Sequence, residues 1–181
     1  YAPLQQGNRV IRRLKVGGPM YYTARIAKEK YPDAKIVFVG PCVAKRKEAQ
    51  RDEAVDFVMT FEEVSSIFDA FEVNLEIVQP YAMEFSSVRE AHGFAQAGGV
   101  MGAVKAFLKM EADKINAIQV SDLNKKNIGT LRAYAKSGKA PGQFIEVMAC
   151  EGGCITGPST HSGSNGKRQL VQELAKQEKT Y

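Results

Sequence analysis

Cys150 and Cys154 are separated by Glu151, Gly152 and Gly153. Thiolates are soft ligands, and such a pair is a half-site for an iron–sulfur cluster or for zinc. Gly152 and Gly153 add to that reading. Glycine reaches positive φ at little cost and lets backbone come close to a bound object, and successive amides in such a turn form a concavity that suits an anion. The plainer alternative is packing, because cysteine is among the most buried residue types. The usual structural zinc spacing is tighter, so the choice turns on a third ligand.

Cys42 is the remaining thiol. It follows Ile36-Val37-Phe38-Val39, a continuous apolar, β-branched run of the kind buried on both faces of a sheet, closed by Gly40-Pro41. Cys150 and Cys154 follow a second strand-like run, Phe144 to Met148. Sites in parallel sheets form beyond the carboxyl ends of strands, so all three thiols are expected where adjacent loops converge. That placement puts a cluster ahead of packing. Lys45, three residues after Cys42, shares its face if a helix begins there. A cation there offsets cluster charge and donates hydrogen bonds, whereas an isolated lysine is ordinarily an exposed helix residue. Met148 has a similar alternative as a space-filling core methionine. His92 and His161, both in predicted loops, are further candidate ligands, with exposure as their default.

The elements that must position these residues alternate. Pro19 opens a helix that Tyr31-Pro32-Asp33 ends. The Ile36 strand comes next, then a polar helix from Val43 to Ala49 and a strand from Val55 to Met59. Thr60 and Glu63 form a capping box for a helix to about Phe71. Leu75–Val78 reads as a short strand and residues 80–98 as a long connection. A helix from Val100 to Glu111 precedes a strand at Ala117–Val120. Ser121 or Asp122 caps a helix from Leu123 to Lys136, and a loop leads to the Phe144 strand. Residues 163–166 read as flexible and Leu170–Lys179 as a last helix. The pattern predicts an α/β fold with a mainly parallel sheet flanked by helices.

The bulk composition excludes several classes. The chain has 181 residues, 44% hydrophobic and 25% charged, enough for one domain or two small lobes. No apolar run reaches membrane-spanning length and no charged-then-apolar leader is present. Net charge is +5, but neither basic cluster (Arg9/Arg12/Arg13/Lys15 and Lys45/Arg46/Lys47/Arg51) carries the interleaved aromatics of a nucleic-acid reader. The mildly basic face is compatible with an acidic electron-transfer partner. Three widely spaced cysteines argue against a disulfide framework and for a reducing, cytoplasmic compartment. Residue 1 is Tyr, so an excised piece is expected.

Together, two segments resemble a known family. Gly40-Pro41-Cys42-Val43-Ala44-Lys45-Arg46-Lys47-Glu48 resembles the second signature of the iron-only (FeFe) hydrogenase catalytic domain, and Glu146-Val147-Met148-Ala149-Cys150-Glu151-Gly152-Gly153-Cys154 resembles its third. Gly98-Gly99-Val100-Met101 is similar to the helix opening between them. Order and spacing agree from Gly18 to Pro158, and two ordered signatures are a specific match. The resemblance implies two α/β lobes with a cluster between them and reversible combination of two protons and two electrons to dihydrogen. The implied H-cluster is a 4Fe–4S unit joined through a cysteine sulfur to a di-iron unit. Cys42, Cys150 and Cys154 are then metal ligands, with Cys154 the bridge. Lys45 bonds a cyanide ligand, Met148 packs against the cluster, and Pro41, Gly152 and Gly153 line it. The implied partners are a ferredoxin-like donor or upstream ferredoxin-like domain, and the cluster's maturation enzymes.

The departures point elsewhere in the family. Four cysteines hold the family's 4Fe–4S unit and this chain has three; the fourth belongs to a first signature expected upstream of residue 1. Gly40 replaces the Met of the catalytic forms, Gly18-Pro19-Met20 replaces Ser-Pro-Gln, and Gly157-Pro158-Ser159-Thr160 stands where Gly-Gly-Gly-Gln-Pro is usual. Residues 1–20 contain no Ser or Thr for the family's proton path. These changes resemble the divergent, sensory branch. The expectation is a fragment of a hydrogenase-like domain, apo and inactive by itself. A hydrogen sensor with a downstream sensory domain, or an iron–sulfur carrier on the same scaffold, is the alternative. Lys45 argues against a carrier without a di-iron unit.

Overall fold

The computed structural model describes residues 16–79, 81, 88–163 and 165–177. They fall in two units. The first takes the described residues of Lys15–Glu84 with Gly157–His161, and the second those of Phe85–Thr156 with Ser162–Tyr181. The chain thus enters the first unit a second time at Gly157 and leaves it after His161.

In the first unit, α1 (Pro19–Lys30) begins on its predicted proline and ends at Tyr31, whose N–H donates to the Ala27 carbonyl. Then follow β1 (Val37–Gly40), α2 (Ala44–Asp52), β2 (Phe57–Thr60) and α3 (Phe61–Ala70). β1 and β2 pair in parallel, from Val37 opposite Phe57 to Gly40 opposite Thr60. The core is Met20 and Ala24 of α1 with Val55, flanked by Ile36, Phe38, Ala49, Ala54 and Val58. Successive strand residues face opposite sides, so Phe38 and Val58 face this core while Val37, Val39 and Phe57 face away. Those three are 47%, 39% and 58% exposed, which corrects the expectation of a strand buried on both faces: among the described residues, the core packs on one side of the pair.

Polar groups fix the strand entries. The Asp56 carboxylate accepts the Ile36 N–H at 2.8 Å and pairs with Lys28 at 3.1 Å and Lys35 at 3.3 Å. The amide bond first, then the lysines, hold its pKa down to about 2. Thr60, 3% exposed, caps α3 with the predicted box: its Oγ1 accepts the Glu63 N–H while the Glu63 carboxylate accepts the Thr60 N–H. That amide bond, and then Arg46, lower the Glu63 pKa. The strand predicted at Leu75–Val78 is a turn instead, closed by the Ile77 N–H on the Asn74 carbonyl and by Asn74 Oδ1 on the Glu76 N–H. An Asx side chain that satisfies a nearby amide outcompetes the strand preference of two β-branched residues, Ile77 and Val78.

The second unit holds α4 (Arg89–His92), a 3-10 turn over Gly93–Ala95, α5 (Gly99–Leu108), a 3-10 segment over Lys109–Lys114, β3 (Ala117–Ser121), α6 (Lys125–Ser137), β4 (Phe144–Met148) and α7 (Asn165–Ala175). β3 and β4 pair in parallel from Ala117 opposite Phe144 to Ser121 opposite Met148. The parallel α/β expectation holds, but among the described residues as two sheets of two strands rather than one. The connection predicted over residues 80–98 is helical in its described part from Arg89 to Ala95; residues 80 and 82–87 lie outside the described residues. α5 stops at Leu108, short of Glu111, because Lys109 adopts φ 50°. The cap of α6 is Asn124, accepting the Asn127 N–H at 2.9 Å, rather than Ser121 or Asp122; Asp122 takes φ 66° and accepts from the Asn124 amide at 2.7 Å. α7 starts at Asn165, ahead of the expected Leu170, and the end predicted at Lys179 lies outside the described residues. No helix of the described residues is long and apolar enough to cross a membrane.

Candidate metal centre

The Cys42 loop is short. β1 ends at Gly40, Pro41 and Cys42 turn the chain, and α2 begins at Ala44. Cys42 is half-buried. The Pro41 carbonyl accepts the N–H of buried Ser159 at 3.0 Å, so the residues that re-enter this unit clasp the loop next to the thiol. Lys45 lies in the first turn of α2 and donates to Glu48. A cation at a helix N-terminus is unfavourable against the macrodipole, and Glu48 offsets that. His161, exposed, shares a 2.9 Å hydrogen bond between its Nε2 and Ser65 Oγ.

The second unit carries Met148, Cys150, Gly152, Gly153 and Cys154. β4 delivers half-buried Met148 at its last position, and the Ala149 carbonyl accepts the Leu123 N–H at 3.0 Å. The chain then turns sharply: the Gly153 N–H donates to the Cys150 carbonyl at 3.1 Å, and the glycines take φ 79° and 102°. Cys154 opens a 3-10 turn to Thr156, whose hydroxyl donates to the carbonyls of Glu151 and Gly153. Gly153 has a reason beyond ligand approach. A Cβ there would lie 2.4 Å from the Ala97 nitrogen and 2.7 Å from the Gln96 carbonyl carbon, while the Gly152 carbonyl accepts the Ala97 N–H at 2.9 Å. The close backbone approach at Gly153 is to the protein's own 95–97 segment. His92 sits at the end of α4 in this unit.

Cys150 and Cys154 are half-buried like Cys42, and none of the three is in a disulfide. Neither unit alone gathers three His, Cys, Asp or Glu among its described residues as a metal-binding group. Sequence reasoning gave no role to Glu146, which is 5% exposed and accepts the Gly98 and Met101 amides, each at 2.7 Å. The available signal was an acid at the centre of an otherwise apolar strand, a group buried only when its oxygens are met.

Residues 12–158, most of the chain, match the family described as iron only hydrogenase large subunit, C-terminal domain. The chain belongs to that family. Its hydrogenase-like fold is seen directly in solved structures. The chain is similar to one from a study of FeFe-hydrogenase oxygen inactivation (TM-score 0.60, 19% identity, 90% of this chain and 59% of that one). It is also similar to a variant of FeFe-hydrogenase HydA1 from Chlamydomonas reinhardtii (TM-score 0.57, 19% identity, 86% and 58%). Among relatives by sequence are two Danio rerio proteins. The cytosolic Fe-S cluster assembly factor narfl is 28% identical over 78% of this chain and 46% of its own length. The nuclear prelamin A recognition factor is 27% identical over 76% and 39%. Cytosolic iron-sulfur assembly component 3 of Rattus norvegicus is 25% identical over 76% and 38%. The hydrogenase-like domain therefore spans less than half the length of these relatives.

Proposed function

We propose that this chain is the cluster-bearing part of a non-catalytic iron–sulfur protein on the hydrogenase scaffold, acting in cytoplasmic iron–sulfur assembly rather than in hydrogen turnover. The observation that carries the reading is the placement of the thiols. Each parallel strand pair ends in a cysteine-bearing loop, Cys42 in one unit and Cys150 with Cys154 in the other, within a family whose sequence relatives include assembly factors.

The donor set fits iron. Three half-buried thiols, none in a disulfide, are the soft ligand type that a 4Fe–4S cluster takes, one short of its usual four. A bound cluster supplies one-electron redox chemistry or is itself passed on. The protein's part is to hold the thiolates: the Cys150–Gly153 turn and the Thr156 hydroxyl shape one loop, and the Ser159–Pro41 bond shapes the other. Lys45 answers to Glu48 within α2, so its presence does not demand a di-iron unit. Gly40 and the Gly157-Pro158 stretch depart from the catalytic signatures and weigh against turnover, though they suit a hydrogen sensor as well. Assembly-machinery proteins are the partners that follow; a ferredoxin-like donor and H-cluster maturation enzymes belong to the hydrogenase reading.

That second reading, hydrogen oxidoreduction or hydrogen sensing by an H-cluster, is favoured by Cys42, Lys45 and Met148 standing together in the family's order. Anaerobic reconstitution of the full-length parent protein with iron and sulfide separates the two. The expected result is one 4Fe–4S spectrum per chain, its loss in Cys42→Ser, Cys150→Ser and Cys154→Ser, and no hydrogen from reduced viologen. Hydrogen evolution after maturation establishes the second reading, and a cluster indifferent to all three serines overturns both. The 181-residue piece alone is expected to evolve no hydrogen.

A further inference from the structure

We propose that Glu146 is the positioning residue of the Cys150–Cys154 loop. Its buried carboxylate fixes the start of α5, and the start of α5 fixes the loop. The proposal rests on the reading of those cysteines as iron ligands and deepens it by naming what sets their geometry.

The first turn of an α-helix leaves its leading amides without intrahelical partners. Gly98, the N-cap of α5, has no side chain to meet them. Glu146 meets them from the neighbouring strand, one oxygen on the Gly98 N–H and the other on the Met101 N–H, each at 2.7 Å. A carboxylate there is favoured by the macrodipole, and its bonds are charge-assisted. The need is mutual, because a carboxylate at 5% exposure is costly without donors.

The residue just ahead of Gly98 carries the effect into the loop. The Ala97 N–H donates to the Gly152 carbonyl at 2.9 Å, and the backbone of residues 95–97 fills the space a Cβ on Gly153 would need. Adjacent residues thus bind the strand that leads into the cysteines and the turn between them. Gly98 at φ 89° also makes room for Gln119, whose Oε1 would lie 3.0 Å from a Cβ there and which pairs in register with Glu146. β3, β4, α5 and the loop meet at this point.

The test uses Glu146→Gln in the 181-residue chain, which keeps the size but sets an NH2 against one backbone N–H. Iodoacetamide alkylation of Cys150 and Cys154 is read against Cys42 as the internal reference, with amide exchange at Ala97, Gly98 and Met101. The two loop thiols are expected to react about ten-fold faster relative to Cys42, with exchange at all three amides quickened. Faster exchange at Gly98 and Met101 without faster alkylation makes Glu146 a helix cap only and overturns the proposal. If the variant does not fold, Cys42→Ser loaded with Cd(II) gives the second measurement: slower exchange at Ala97 and Gly98 supports the coupling, and unchanged exchange there overturns it. Neither readout needs iron, so failure of reconstitution sinks the iron–sulfur reading and leaves this result standing.

Discussion

Lys45 donates to the Glu48 carboxylate one turn further along α2, with the two side chains 29% and 28% exposed. The lysine expected from the motif to meet a cofactor thus already has an anion on its own helix. Glu48→Gln is expected to cost only about 0.5 kcal/mol, the scale of a spaced helix pair. Its sharper effect falls on the lysine: acetylation of Lys45 by acetic anhydride speeds up while Lys47 is unchanged. Equal Lys45 rates in the two proteins would show that the pair does not hold the ammonium in solution.

Thr60 is the last residue of β2, and its hydroxyl caps α3. Thr60→Ala leaves the Glu63 N–H without its acceptor and is expected to cost about 1–2 kcal/mol. Urea unfolding should show a lower midpoint with the same slope. A midpoint within error of the wild type would mean that water replaces the cap.

Asp56 predicts an acid limb. Its folded pKa is about 2, against 3.8 ordinarily, because the Ile36 amide and then Lys28 and Lys35 favour the carboxylate. A depressed carboxylate stabilises the fold fully above its unfolded pKa and loses that contribution as pH falls through the folded value. Stability should therefore decline between about pH 4 and pH 2, and Asp56→Asn should be less stable at neutral pH with a flatter acid limb. Thermal melts across that range check it; parallel curves for the two proteins would refute it.

Gly153→Ala combines a positive φ with contact against the backbone of residues 95–97 rather than against a movable side-chain end. The expected penalty is roughly 3 kcal/mol or more, with loss of protection at the Ala97 amide by hydrogen exchange. Normal stability would mean that the loop has another conformation available.

The sequence made legible whatever rests on local chemistry. Pro19 at the start of α1, the Thr60–Glu63 box and the strand–turn–cysteine order at both loops are each decided by a few neighbouring residues. Leu75–Val78 was misread because Leu75, Ile77 and Val78 look like a short strand until Asn74 is seen to satisfy the Glu76 amide. The one-sided cover of Val37, Val39 and Phe57 was not readable, since a continuous apolar run looks the same with or without a second layer. At the site, the cysteines announce themselves by type, whereas Glu146 acts through backbone amides more than forty positions away, a relation that only the folded chain displays.

The bare side of the β1–β2 pair has a practical consequence. Two-stranded sheets are marginal alone, and uncovered strand edges beside Val37, Val39 and Phe57 invite pairing between copies. The protein should self-associate as its concentration rises, and charged replacements at those two valines and that phenylalanine should keep it dispersed.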